Sequence, residues 1–144
     1  MKAHKVLLLA ILLLAVFFRL QNLNWDSDFH LHPDERFLTM VSTAMRVPQN
    51  IFEYFNPDTS SFNPVNIGYQ FFVYGIFPLS INKLFAMLYG NDTYNLLTLQ
   101  GRFLSALFDI FTLFFVYRTC LLFEKKEKIS SSIKYWATLS YAGM

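Results

Sequence analysis

The feature that most constrains this chain is an unbroken run of thirteen apolar residues near its start, VLLLAILLLAVFF at 6–18, between Lys5 and Arg19. A basic start before a short apolar core is also the layout of a secretory signal peptide. Here, however, bulky and polar residues follow the run, where a cleavage site has small ones. Residues 5–23 approach the length of about 20 residues that crosses the hydrocarbon of a bilayer. We therefore predict an uncleaved transmembrane helix.

Composition argues against the soluble alternatives. Hydrophobic residues make up 54% of the 144 positions and charged residues only 15%, against about 25% charged in soluble domains. A soluble domain of this size buries about two-thirds of its unfolded surface and has no room for 17 phenylalanines. High hydrophobicity excludes a disordered chain, and a single cysteine, Cys120, excludes a disulfide scaffold. We predict an all-α, polytopic integral membrane protein.

The number of membrane crossings follows from the placement of charge. Two further apolar segments lie at 69–89 and 96–123. If both crossed, the lysine-rich stretch 124–134 would lie outside, against the positive-inside rule. Lys83 would also lie near the middle of a span, where a charge costs about 2.5 to 3.5 kcal/mol. We therefore predict that 69–89 lies at the outer membrane interface and does not cross.

The predicted protein is a multi-pass component of the cell membrane. Lys2 and Lys5 favour a cytoplasmic N-terminus. The predicted segments are a first transmembrane helix (5–23), an extracytoplasmic loop (24–95) with interfacial helices at about 34–46 and 69–89, a second transmembrane helix (96–123), a cytoplasmic loop (124–134) and the start of a third span (135–144). Because the last segment is about half as long as a span, we expect a longer parent protein.

The extracytoplasmic loop is acidic. Residues 21–68 contain six acidic side chains and two arginines, and the densest stretch is FHLHPDERF at 29–37. Asp34 and Glu35 begin the predicted amphipathic helix, where carboxylates complement the helix dipole and Pro33 suits the first turn. That interpretation is structural. In the functional interpretation, the two carboxylates supply a general base to an acceptor hydroxyl or help to hold a cation.

Two further patterns each have two interpretations. His30, His32 and Asp34 are candidate metal ligands, but alternating histidines without a defined third ligand are a weak zinc signal. A divalent cation is therefore left open as a cofactor.

Arg102 and Asp109 are seven residues apart and share one helix face. Either Arg102 lies at headgroup level with Asp109 inside a helix bundle, or both face a polar cavity.

Taken in order along the chain, these residues resemble the GT-C membrane glycosyltransferases. The sequence HPDERF at 32–37, after a first transmembrane helix, is similar to the protein O-mannosyltransferases and the lipid A aminoarabinose transferases. FVYGIFPLSINKLFAMLYG at 72–90 resembles their interfacial helix, and GRFLSAL at 101–107 resembles the start of their second membrane helix. The resemblance covers nearly the whole chain.

The resemblance implies transfer of a sugar from a polyprenyl-phosphate carrier to a hydroxyl acceptor on the outer face of the membrane, without a nucleotide sugar. Asp34 would assist the attack on the anomeric carbon, and Glu35 would support it or bind the acceptor. Arg102 is the candidate contact for the leaving phosphate, because cations stabilise developing negative charge. His32 and Arg36 are further candidates for substrate binding. The expected partners are the donor, the acceptor and the bilayer, with no nucleic acid.

Two other functions are kept open. One is a small non-enzymatic membrane protein whose acidic outer loop binds a partner. The other is a transporter fragment in which Arg102 and Asp109 line a path, although the internal hydropathy repeats of transporters are not found in these residues. The enzyme hypothesis differs from the first in expecting many more apolar segments after residue 144.

Overall fold

The structure is a computed structural model that describes the backbone of residues 2–127 and 130–144. Its described part is helical and contains no strand, which confirms the predicted all-α class. The elements are α1 (Lys2–Leu20), α2 (Pro33–Ala44), α3 (Ile51–Phe55), a 3₁₀ helix (Pro64–Ile67), α4 (Ile76–Tyr89), α5 (Tyr94–Glu127) and α6 (Ile133–Ala142). Residues 128–129 of the predicted cytoplasmic loop lie outside the described residues.

The chain divides into two compact units. We call Met1–Leu23 with Phe103–Met144 the terminal unit, and Asn24–Arg102 the central unit. The helix α5 contributes its first turns to the central unit and the rest to the terminal unit.

The helix α5 is the element best suited to a membrane. It is 34 residues long, and its Tyr94–Lys126 stretch is the one helix in the described part of the chain that is long and apolar enough to cross a bilayer. Only 11% of its apolar window is buried, whereas a core helix of a soluble protein is mostly covered. Over its described residues, α1 does not pass the same test. One candidate span is therefore established where two were predicted, and the second remains a prediction.

The terminal unit has a small apolar contact region. Ile11 and Ala15 of α1 are buried with Leu113 of α5 and Ala142 of α6. The two alanines allow close approach of helix backbones, which is how helices associate in lipid. Most large apolar side chains of this unit are exposed, including Leu9, Leu13, Phe17, Phe108, Phe111, Phe114, Phe115 and Leu122.

The central unit has a core between α2 and α4. Val41, Met45, Phe62 and Leu79 are buried together, and each such side chain contributes about 1.5 to 3 kcal/mol when fully buried. Val41 lies on α2, and Met45, four residues later, directly follows the last residue of the helix, in line with the predicted helical spacing of apolar residues. The helix begins at Pro33 and ends at Ala44, where 34–46 was predicted.

The residues of segment 50–68, which include Pro57, Pro64, Gly68 and several Asn and Ser residues, predict irregular loop, but the segment contains two short helical turns. The Asn50 side chain accepts a hydrogen bond from the Glu53 amide (2.9 Å) and caps α3. The Asn63 side chain accepts one from the Val65 amide (3.2 Å) and caps the 3₁₀ helix. Asparagine, proline and glycine also favour turns without helix. Residue composition therefore does not distinguish short helical turns from irregular loop in this segment.

The helix α4 buries the polar side chains of Ser80 and Lys83 beside its apolar core contact, Leu79, and its exposed face is apolar. It begins at Ile76, so residues 69–75 of the predicted 69–89 helix are extended or irregular. The Lys83 amine is buried and donates to both carboxylate oxygens of Asp92 (2.6 and 2.8 Å). The Asn82 side-chain amide donates to the Leu97 carbonyl (2.9 Å). Lys83, whose charge argues against a crossing, and its neighbour Asn82 therefore have hydrogen-bond partners within the central unit.

Candidate active site

A tight turn leads from α1 into α2. Ser27, Asp28 and His30 adopt left-handed backbone conformations, with φ of 50°, 66° and 50°. Such conformations cost non-glycine residues about 1 to 3 kcal/mol each. The Asn24 carbonyl accepts from the Ser27 amide and its side chain accepts from the Asp28 amide, both at 3.1 Å. The turn buries the side chains of Asp26 and His30.

Arg102, in the first turns of α5, is enclosed by two carboxylates. Its terminal nitrogens donate to both oxygens of Asp26 (3.0 and 2.8 Å). Its Nε and one terminal nitrogen donate to both oxygens of Glu35 (2.7 and 2.6 Å). The Trp25 ring lies 5.4 Å from the guanidinium carbon. Bidentate pairs of this kind are the strongest hydrogen-bonded ion pairs in proteins. Only 9% of the Arg102 side chain and 1% of the Asp26 side chain are exposed.

The cluster of Asp26, Glu35 and Arg102 carries a net negative charge. The hydrogen bonds from Arg102 hold the pKa of Asp26 at about 2, below its usual value of 3.8, against the opposing effect of burial. A phosphate approaching Arg102 would meet two carboxylates that already use its donors. This geometry does not favour the predicted contact between Arg102 and a leaving phosphate. It makes Arg102 a link between the turn after α1, the head of α2 and α5.

The two adjacent carboxylates at the head of α2 have different environments. Glu35 is closed in the ion pair with Arg102. Asp34 is exposed. Interaction with the Asp34 carboxylate, together with burial, raises the pKa of the Tyr74 phenol, because a phenolate beside a carboxylate would be repelled. Of the two, Asp34 is the carboxylate that a substrate can reach.

The two histidines of the predicted metal site serve the fold. His30 is buried, with Nε2 2.9 Å from the Asn95 side-chain oxygen and Nδ1 3.3 Å from the Thr98 hydroxyl. His32 caps α2, and its Nδ1 accepts from the Glu35 amide (3.3 Å). Within the described residues, no group of three His, Cys, Asp or Glu side chains is arranged to hold a metal ion.

The remaining predicted residue of this region, Arg36, is exposed, and its carbonyl accepts a hydrogen bond from the Tyr94 hydroxyl (3.2 Å). Sequence reasoning missed the role of Asp26, which was counted only as part of the acidic loop. No local spacing links Asp26 to Arg102, because their contact spans 76 residues.

Asp109 has the polar partners that its place in an apolar helix requires. Within the terminal unit, its carboxylate accepts hydrogen bonds from the Arg19 guanidinium and the Tyr141 hydroxyl. Arg19 also donates to the carbonyls of Tyr141 (2.8 Å) and Ala142 (2.9 Å), where a cation complements the C-terminal end of a helix. Asp109 and Arg102 thus each pair within their own unit.

The candidate site combines one exposed carboxylate, Asp34, with a second, Glu35, which is paired with the largely buried Arg102. Its neighbouring histidines are used as a helix cap and as a buried hydrogen-bonding group. Comparison of the chain with protein-family models, with curated proteins and with solved structures finds no match.

Proposed function

We propose that this chain belongs to a membrane glycosyltransferase that transfers a sugar from a polyprenyl-phosphate carrier to an acceptor hydroxyl on the extracytoplasmic face. The observation that carries the proposal is the exposed Asp34 carboxylate at the head of α2, next to Glu35 and its ion pair with Arg102. A base for a hydroxyl must be reachable by that hydroxyl, and it must be held in place. Asp34 meets both conditions and Glu35 meets only the second.

In the proposed reaction, Asp34 takes the proton of the acceptor hydroxyl while the acceptor oxygen forms a bond to the anomeric carbon. The bond between the anomeric carbon and the phosphate oxygen breaks, and its electron pair leaves on the polyprenyl phosphate. The products are the glycosylated acceptor and the free polyprenyl phosphate. Attack opposite the leaving group inverts the anomeric centre. A positioned general base contributes about 10² to 10⁴ in rate.

Glu35 and Arg102 take a positioning role in this proposal. Their ion pair joins the first turn of α2 to α5, and the pair of Arg102 with Asp26 joins the same point to the turn after α1. Asp34 immediately precedes Glu35, so this link fixes the backbone that carries the base. The leaving phosphate then needs cations other than Arg102, since Arg102 is already neutralised.

The membrane setting of the proposal rests on α4 and α5. The exposed aromatic side chains of α5 suit contact with lipid along a span. The outward face of α4 is also apolar, including Phe77, Leu84 and Leu88, while its Lys83 is turned inward. A helix of this kind suits an interface where the surroundings are less polar than the protein interior. We propose crossings by α1 and α5, with the N-terminus cytoplasmic and residues 24–95 outside.

The test is Asp34→Asn in the full-length protein. Membranes that contain the variant are given radiolabelled polyprenyl-phosphate mannose and other polyprenyl-phosphate sugars, and transfer to acceptors is counted. We expect a loss of at least about a hundredfold, because the amide cannot take a proton, with unchanged membrane insertion. Asp58→Asn, which changes an exposed acid elsewhere in the central unit, is the matched control and should retain activity. Full transfer by Asp34→Asn would remove this residue from catalysis.

A further inference from the structure

We propose that an apolar pocket of the central unit binds one acyl chain of a membrane phospholipid. The pocket is lined mainly by α3 and α4 and has a volume of about 380 Å³, within the range of about 300 to 1,000 Å³ that is usual for small-molecule sites. Its placement at a membrane rests on the proposed function. Its lining does not, since the pocket is a feature of the folded central unit.

The pocket extends from the core of the central unit to its surface. Its main apolar lining comes from one face of α4, from α3 and from the loop that follows α3: Phe77, Ile81, Leu84, Ile51, Tyr54 and Phe62. Phe62 is only 2% exposed and also belongs to the core, whereas Phe77 is 69% exposed. We therefore describe Phe62 as the floor of the pocket and Phe77 as its rim.

The lining offers a ligand apolar contact rather than polar recognition. Among the described residues that line the pocket, none carries a charge. The Asn50 side chain accepts a hydrogen bond from the Glu53 amide (2.9 Å), and the Ser80 hydroxyl donates to the Ile76 carbonyl (3.1 Å). Both side chains are thus used within their own helices. Sites for polar ligands place a few polar groups to orient the ligand, so this pocket suits a plain hydrocarbon chain.

The helix α4 is fastened to the start of the candidate membrane span. The Asn82 side-chain amide donates to the Leu97 carbonyl (2.9 Å), and the Gln100 side-chain amide donates to the Asn82 side-chain oxygen (2.7 Å). The approach is close, because a Cβ added at Gly101 would lie 3.2 Å from the Asn82 side-chain nitrogen. Since the span begins at Tyr94, a bilayer that α5 crosses has its surface near α4.

The pocket adjoins an exposed apolar surface. Phe77, Ile81, Leu84 and Leu88 follow one another at spacings of three or four residues, so they form one row along α4. Leu88, at the end of this row, is 79% exposed. Asn82, which contacts α5, lies outside the row. A chain that leaves the pocket therefore continues along apolar side chains and not into the polar contacts between α4 and α5.

A phospholipid acyl chain is the occupant that this combination favours. An open apolar pocket exposes its walls to water, and filling it is favourable because that surface leaves water. A chain from the adjacent bilayer needs neither charge nor hydrogen bonds in the pocket, which offers few. Acyl chains are also the most abundant hydrocarbon at a bilayer surface, whereas the polyprenyl chain of the proposed donor is a minor component.

The test places a fluorine at the floor and at the rim of the pocket. Phe62 or Phe77 of the full-length protein is replaced by 4-fluorophenylalanine, and the protein is reconstituted in bilayers that contain a phospholipid with a nitroxide on its acyl chain. Paramagnetic broadening of the ¹⁹F signal falls steeply with distance, so it reports how close the chain comes. We expect broadening at both positions, because an inserted chain reaches from the rim to the floor.

Variants that fill the pocket are the matched comparison. Ile81→Trp and, separately, Leu84→Trp add an indole ring to the lining, and each should reduce the broadening at position 62 severalfold. Leu88→Trp adds the same ring outside the lining and should leave the broadening at position 62 unchanged. If neither filling variant reduces it, the nitroxide reaches position 62 from outside the pocket, and the proposal is overturned.

The two positions separate an empty pocket from a wrong membrane placement. Broadening at position 77 without broadening at position 62 would show lipid at the rim of an unoccupied pocket, which overturns this proposal and leaves the interfacial placement of α4. Absence of broadening at both positions would overturn the two together. Asp34→Asn should behave as the wild type in every measurement, so failure of the catalytic proposal does not affect the result.

Competition distinguishes the phospholipid from the sugar carrier. Polyprenyl phosphate without a nitroxide is added to the same bilayers at a small mole fraction. The signal at position 62 should stay broadened, because the labelled and unlabelled phospholipids remain in large excess. Recovery of a sharp signal would assign the pocket to the polyprenyl chain of the carrier and would overturn its assignment to a phospholipid.

Discussion

The terminal and central units each bury an arginine against carboxylates, but they do so in different ways. In the terminal unit, Arg19 pairs with Asp109, whose side chain is 39% exposed. In the central unit, Arg102 binds Asp26 and Glu35 at once, and the Asp26 side chain is 1% exposed. The arginine side chains themselves are almost equally buried, with exposed fractions of 10% and 9%. The difference lies in the number and burial of the acids.

The apolar packing of the two units also differs, and here too the central unit buries more than the terminal unit. The central unit buries large side chains such as Phe62 and Met45 in a core. The terminal unit buries only a small apolar cluster around Ala15 and Ala142, and its phenylalanine side chains are exposed. In lipid there is no hydrophobic force between helices, and association depends on close packing and polar pairs. The central unit is therefore held by its own core and buried charges, whereas the terminal unit has few large buried side chains and exposes most of its apolar surface.

The largest expected effect comes from removing the arginine that links the central unit. Arg102→Met leaves Asp26 as a buried charge without its main partner, and we expect the free energy of unfolding to fall by about 3 kcal/mol, the lower end for a broken buried pair because Glu35 is partly exposed. Denaturant unfolding of the detergent-purified protein, followed by tryptophan fluorescence, measures the loss. Asp26→Asn added to Arg102→Met should recover part of it.

Two further variants serve as references for that measurement. Arg36→Met removes an exposed arginine of α2 and should change the free energy of unfolding by less than about 0.5 kcal/mol. Arg19→Met is the counterpart in the terminal unit. It should cost less than Arg102→Met, because Asp109 keeps Tyr141 as a partner and is more exposed. An equal or larger loss for Arg19→Met would break the comparison between the units.

A decrease in pH is expected to have an intermediate effect on the stability of the central unit. Because Arg102 lowers the pKa of Asp26 from 3.8 to about 2, ionised Asp26 stabilises the folded state above about pH 4, and this contribution is lost as the pH falls towards about 2. The central unit should therefore lose stability across that window, and Asp26→Asn should flatten the change. Asp58→Asn is the control. A profile that Asp26→Asn leaves unaltered would show that the cluster contributes little to acid stability.

The smallest effect on stability is expected on the outward face of α4, where the central unit resembles the terminal one. Leu88 is 79% exposed, so Leu88→Cys in a Cys120→Ser background should change the free energy of unfolding by less than about 0.5 kcal/mol. A spin label there, with the protein in lipid bilayers, should be more accessible to oxygen than to a nickel chelate. A label at Thr59→Cys, on an exposed loop, should show the reverse. A water-accessible label at position 88 would contradict the interfacial placement of α4.

Much of the helical layout could be predicted from periodicity and apolar runs. The helical spacing of Val41 and Met45 predicted α2, and the long apolar stretch 96–123 lies inside α5. The start of α4 could not be predicted, because the aromatic residues 69–75 continue the apolar pattern without being helical. Their rings pack on α2 instead. That packing is a tertiary contact with no local sequence signal.

The candidate site shows the same limit. The acidic character of Asp34 and Glu35, and their place at the head of a helix, follow from the sequence alone, because helix starts and charges are local properties. The sequence treats the two carboxylates as equivalent. Only the tertiary structure pairs Glu35 with Arg102 and leaves Asp34 exposed. The physical reason is that the environment of a charge depends on groups from distant parts of the chain, 67 residues away for Arg102 and Glu35, and neither composition nor spacing records which groups those are.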